Sequence, residues 1–97
     1  SEIYMQAHIK FFHKGGMIFM MISIGHGNSV SRSEIVAIVN TDSAPAKKLR
    51  HSAEAGRMLI NATGGREARS MIVTKSNHVI LITLQTTTLK ERINDSR

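Results

Sequence analysis

A chain of 97 residues makes one domain, and without cysteine it has no disulfide framework, thiolate nucleophile or Cys-ligated zinc. Thirteen Lys and Arg against seven Asp and Glu give a formal net charge of +6, which favours polyanionic partners, nucleic acid before an anionic membrane surface. The missing disulfides fit a reducing cytoplasm, the expected location. A domain this small buries only about 60–65% of its surface on folding and gains from partner subunits.

Residues 1–16 are set apart as an N-terminal extension from a domain over 17–97. They hold Tyr4, Phe11, Phe12, His8 and His13 without a clear period, and end on Gly15-Gly16. Residues added in expression, upstream read-through before a start at Met17, and a genuine arm are all open readings. The apolar run from Met17 to Ile24 is far short of the roughly 20 residues a membrane helix needs. Lys10 and Lys14 before it imitate a signal peptide, but Gly25-His26-Gly27 is no cleavage site, and Met20–Ile24 reads as a strand.

Gly25-His26-Gly27-Asn28 is a turn, Ser29–Ser31 a short strand, and Glu34–Val39 a further apolar strand. Ser43 is placed to cap a helix with Pro45 in its first turn, running to about Ala55. Gly56 follows as the expected left-handed residue that ends it, and Ala46, Leu49 and Ala53 form its buried stripe. Met58–Thr63 and Ser70–Thr74 flank Gly64-Gly65 and read as a β-hairpin. A turn at Lys75-Ser76-Asn77 leads into a strand from His78 to Leu84. Thr86 or Thr87 caps a last short helix with Leu89, Lys90, Glu91, Arg92 and Ile93.

The expected fold class is α+β: a small antiparallel or mixed sheet, one central helix and a short C-terminal helix. Val79–Leu84 is apolar on both faces, where a half-exposed antiparallel strand would alternate. A helix is expected over one face and another layer or subunit over the other, with a subunit interface preferred.

The residues that carry chemistry are basic. Arg66 and Arg69 flank the Gly-Gly turn, where a planar guanidinium held near a rigid turn can grip phosphate through several hydrogen bonds. A solvated hairpin tip or an intersubunit salt bridge is the plainer alternative for both. Lys47, Lys48 and Arg50 form a basic helix face in the half of the helix where the macrodipole disfavours cations, a hint of anion binding or of an interface. His26, His51 and His78 lack ligand spacing, so no metal site is expected, and His78 reads as a hydrogen-bonded structural residue. Gly25–Ser29 resembles the opening of a nucleotide loop but lacks the third glycine, the Gly-Lys-Ser/Thr and the following helix. No nucleophile with a base and no carboxylate pair can be assigned, so neither catalysis nor a cofactor or small-molecule substrate is expected. RNA binding is disfavoured, since residues 17–97 offer only Phe19 for stacking.

With these elements placed, residues 20–93 resemble the RemA family of small bacterial regulators of extracellular-matrix genes. Four blocks in order carry the likeness: Ile24–Asn28; Ile35–Val39 with Asp42–Pro45; Gly56–Thr63; and Gly65-Arg66 to Arg69 followed by Ser76–Leu81. The resemblance implies an α+β protomer that assembles into closed homo-oligomeric rings. It also implies DNA binding without a helix-turn-helix, through arginines from many protomers, and activation of biofilm-matrix genes. It transfers the family's arginine after the hairpin glycine to Arg66, the basic residue three further on to Arg69, and another basic position to Lys48. Two usually basic positions fall on Glu67 and Glu34, and Arg32 lies two residues before the latter. Arg32 could compensate if both shared one face of a strand, and Glu67 could pair with Arg66 or Arg69.

The expected DNA-contacting set is therefore Arg66, Arg69, Arg32, Lys47 and Lys48. The alternative is a ring-forming protein-interaction module whose DNA affinity Glu34 and Glu67 have weakened.

Overall fold

The computed structural model describes residues 9–14 and 17–95. Strands β1 (Ile9–Lys14), β2 (Met17–Gly25) and β3 (Asn28–Ser31) form an antiparallel sheet in that order. Part of the segment set apart in the sequence is thus strand β1, and the Met17–Ile24 run is strand as expected.

A one-turn 3-10 helix, Arg32–Glu34, leads into β4 (Ile35–Asn40). Then follow α1 (Ala44–Ala55), β5 (Leu59–Asn61), β6 (Ser70–Thr74), β7 (Val79–Ile82) and α2 (Thr86–Asp95). The second sheet has the order β4-β6-β7-β5, with β5 parallel to β7 and the other pairs antiparallel. The α+β class holds.

The expected hairpin of Met58–Thr63 with Ser70–Thr74 does not form, because β7 lies between its two arms. Gly64-Gly65 does make a tight turn: φ is +60° and +85°, and the Arg66 N–H donates to the Thr63 carbonyl at 3.1 Å. This is type I′ geometry. Residues 67–69 then prolong the connection, and the interior place goes to the strand whose two faces are both apolar.

On one face of β7, Val79 and Leu81 pack with Met71, Ala46 and Ala53 beneath α1. On the other, Ile80 and Ile82 meet Ile22, Ile24 and Val30 of the first sheet and Leu89 of α2. Both faces are therefore covered within one chain, and the subunit interface preferred from the sequence is not what buries this strand. Ile22, Ile72, Ile82 and Leu89 are fully buried, and truncating any of them to alanine would cost about 2–5 kcal/mol.

The ends of α1 refine the sequence reading. Ser43 holds the cap position, but its hydroxyl turns back to donate to the Asn40 carbonyl at 2.7 Å. At the other end Gly56 has φ −86°, and Arg57 takes the left-handed conformation at φ +58°. Met58 N–H donates to the Ala53 carbonyl at 2.7 Å and Arg57 N–H to the Glu54 carbonyl at 3.2 Å, the paired bonds of a Schellman motif. Arg57, not Gly56, is thus the C′ residue. Helix α2 begins at Thr86 itself, so its cap position is Gln85, whose carbonyl accepts the Leu89 N–H at 3.1 Å.

Candidate nucleic-acid interface

Strand directions decide where the basic side chains gather. Strands β4, β5 and β7 run the same way, with β6 antiparallel to both of its neighbours. Asn40, Asn61 and Ile82 therefore leave the sheet at one end, and Ser70 enters there. The loop 62–69 and the N-termini of both helices share that end. A helix start carries roughly half a positive charge and unpaired N–H groups, so this rim suits anions before any side chain is counted.

The loop is held by its backbone. Thr41 Oγ1 donates to the carbonyls of Ala68 and Arg69 at 3.2 and 3.1 Å, and the Arg69 N–H donates to the Ile82 carbonyl at 2.8 Å. Asn61 Oδ1 accepts from the N–H and the hydroxyl of buried Thr63 at 3.0 and 2.6 Å. Ser70 is fully buried and its hydroxyl donates to the Leu84 carbonyl. The first sheet braces the tip: His26 Nε2 lies 3.2 Å from Thr83 Oγ1, and its ring packs on Gly64, where a Cβ would come within 3.0 Å of Nδ1. Arg66 and Arg69 thus project into solvent from a fixed backbone.

Two clefts adjoin this loop. One, of about 370 Å³, is bounded by Arg69, Glu67, Asn40 and the first residues of α2. The other, of about 330 Å³, is bounded by Arg66, Arg50, Asn61 and Glu67. Thr41 and Asp42 border both. Glu67 lies between the arginines, yet among the described residues no ion pair joins it to Arg66 or Arg69. The expected internal pairing is absent there, and the carboxylate faces the same solvent as the guanidinium groups.

Lys47 and Lys48 are exposed near the start of α1 but border neither cleft. Arg50 does, and the sequence reading left it out of the binding set. The signal was available: Arg50 stands four residues after buried Ala46, at the margin of the helix's packed stripe.

Arg32 and Glu34 lie at the opposite end of the sheet, where Ile35 pairs with Thr74 and Lys75 N–H donates to the Glu34 carbonyl at 2.9 Å. The length of β4 separates them from the rim by roughly 15–20 Å. They belong to a 3-10 turn, not a strand, so the alternation that would put both on one face does not apply. Arg32 is half-buried, and its Nε has no hydrogen-bond partner among the described residues. His78 is hydrogen-bonded as expected, with Nδ1 2.6 Å from Ser76 Oγ. Among the described residues no helix is long and apolar enough to cross a membrane.

Comparison with known proteins fixes the family. The family model described as extracellular matrix regulatory protein A-like (RemA-like) matches residues 21–93. The chain belongs to the RemA-like family. Relatives carry names that give a regulatory role and nothing more specific. One from Thermodesulfovibrio yellowstonii is 47% identical over 76 residues, 78% of this chain and 89% of its own length. One from Alkaliphilus metalliredigens is 49% identical over 78 residues, 80% of this chain and 84% of its own. One from Desulfotalea psychrophila is 42% identical over 82 residues, 84% of this chain and 73% of its own. The RemA-like match takes in the whole rim, from the turn at Gly25 through the loop 62–69 to α2, and assigns the chain a regulatory role.

Proposed function

We propose that this RemA-like protein is a cytoplasmic, DNA-binding transcriptional regulator of extracellular-matrix genes that acts as a homo-oligomeric ring. One observation carries the reading: Arg66 and Arg69, with Arg50 beside them, stand on a backbone-locked loop at the sheet end where both helices begin. Lys47 and Lys48 extend the positive field along α1. Arg32 lies at the other end, so a duplex lying on the rim alone would not reach it. Phosphate neutralisation with counterion release supplies affinity, and DNA shape and bendability supply selectivity. One protomer offers few contacts. Repetition around a ring raises the effective concentration of each remaining contact once the first is made.

The test is an anisotropy titration of the protein with duplex DNA across a salt series. The expected result is a log–log slope near −0.9 per phosphate neutralised. Affinity that does not change with salt would overturn the reading. A protein-interaction module is the second reading, favoured by Glu67 and Asp42, whose carboxylates border both clefts. It predicts no DNA shift even at low salt.

A further inference from the structure

The four-stranded sheet ends on two strands, β4 and β5, and neither carries a charge or a proline along its edge. Natural edges are blunted by charge, especially lysine, or by proline. Here β4 reads Ile-Val-Ala-Ile-Val-Asn and β5 reads Leu-Ile-Asn, without a charge in either. Among the described residues, the large apolar side chains most open to solvent are Val36, 61% exposed, and Ile60, 45% exposed. One lies on each edge. Val36 sits where the register shifts between Ile35 and Ala37, so a bulge turns it away from the β6 ladder.

We propose that these two edges are the halves of one seam, the β4 edge of one copy receiving the β5 edge of the next. The occupant of each edge is thus a second copy of this chain. Three observations commit the seam to that partner. The strands run the same way, so adding a copy extends the sheet by a parallel pair like the one β5 already makes with β7. Their lengths match, since beyond the bulge β4 offers Ala37–Asn40 to the three residues of β5. Their flanking charges are opposite: exposed Glu34 immediately precedes β4, and exposed Arg57 lies two residues before β5, at the same end of the sheet.

The contact is head-to-tail, so it closes into a ring when the rotation between copies divides a full turn. Parallel joining also fixes how the copies face. Every protomer's 62–69 loop lies on the same side of the ring, and every Arg32 on the other. The inference rests on the ring reading above and supplies its seam.

The test uses the full chain and native mass spectrometry. Val36→Lys and Ile60→Lys, each judged folded by a cooperative thermal melt, should each lose the oligomer and run as monomers. Mixed together they should form a heterodimer and nothing larger, because one intact β4 edge then meets one intact β5 edge. Should a lysine variant fail to fold, cysteine variants serve, since the chain has no cysteine of its own. Val36→Cys/Ile60→Cys with a short bis-maleimide should give a covalent ladder that neither single variant gives. An oligomer that survives both lysine changes, a mixture that stays monomeric, or an absent ladder overturns the seam and leaves the ring standing. A monomeric wild-type protein overturns both.

Discussion

The two ends of the four-stranded sheet carry similar residue types and differ in how they are built. At the end holding Arg66 and Arg69, both helices start, two clefts open, and the loop is tied down by Thr41, Asn61 and Ile82. At the other end Arg32, Glu34, Arg57 and Lys75 stand on short turns, and the last turn of α1 has no basic residue. Cations alone do not distinguish the ends. A fixed backbone and the helix starts do, because a side chain carried on an ordered loop has less freedom left to lose when it meets a phosphate.

The largest expected effect comes from removing the rim arginines. Arg66→Ala/Arg69→Ala should lower affinity by about a hundredfold or more and flatten the salt slope, the loss being repeated in every protomer. Native mass should stay unchanged; dissociation into monomers would place these arginines in the seam. Next, Glu67→Arg should tighten binding by about tenfold or more at low salt, since each substitution swings two charges beside a polyanion. Glu34→Arg, at the far end, should give no such gain, because it adds charge away from the duplex and sets two cations against each other at the seam. Equal gains from the two in the same titration would mean that DNA contacts both ends.

Gly64→Ala tests whether the fixed backbone matters. A left-handed φ of +60° and a Cβ 3.0 Å from the His26 ring oppose it. It should cost about 1–2 kcal/mol in chemical denaturation, and affinity should fall although no charge changes. The smallest effect belongs to the other end. Arg57→Gly should raise stability by about 0.5–1 kcal/mol, because glycine takes the left-handed C′ conformation without strain. Its thermal midpoint should rise by a few degrees in the Val36→Lys background, where the seam contact of Arg57 is already lost.

Much of this was legible in the sequence, for physical reasons that also explain the misses. Helix α1 announced itself through Ser43, Pro45 and the Ala46–Leu49–Ala53 spacing, all local signals. The two-faced strand at Val79–Ile82 was equally plain. What covers it was not, because Ile22, Ile24 and Leu89 reach it only through tertiary packing. The hairpin reading failed for the same reason: Gly64-Gly65 fixes the turn, but strand order depends on which strand most needs both faces covered. At the rim, Arg66 and Arg69 could be named from their place beside the turn. Arg50 could be read only as part of a basic helix face, since its cleft exists only once α1 lies against β5 and the 62–69 loop. Arg32 was grouped with them because a one-dimensional pattern of charge says nothing about which end of a sheet each residue occupies.

Strand β7 is the last of the described strands and an inner one in the sheet, and this orders events during synthesis. The N–H groups of Ala62 and Arg69, near the two ends of the basic loop, donate to the carbonyls of Leu81 and Ile82 at 3.0 and 2.8 Å. A nascent chain still lacking Val79–Ile82 has neither anchor, so its arginines are tethered loosely while ribosomal RNA surrounds them. The loop takes its final shape only after β7 has been made and has entered the sheet.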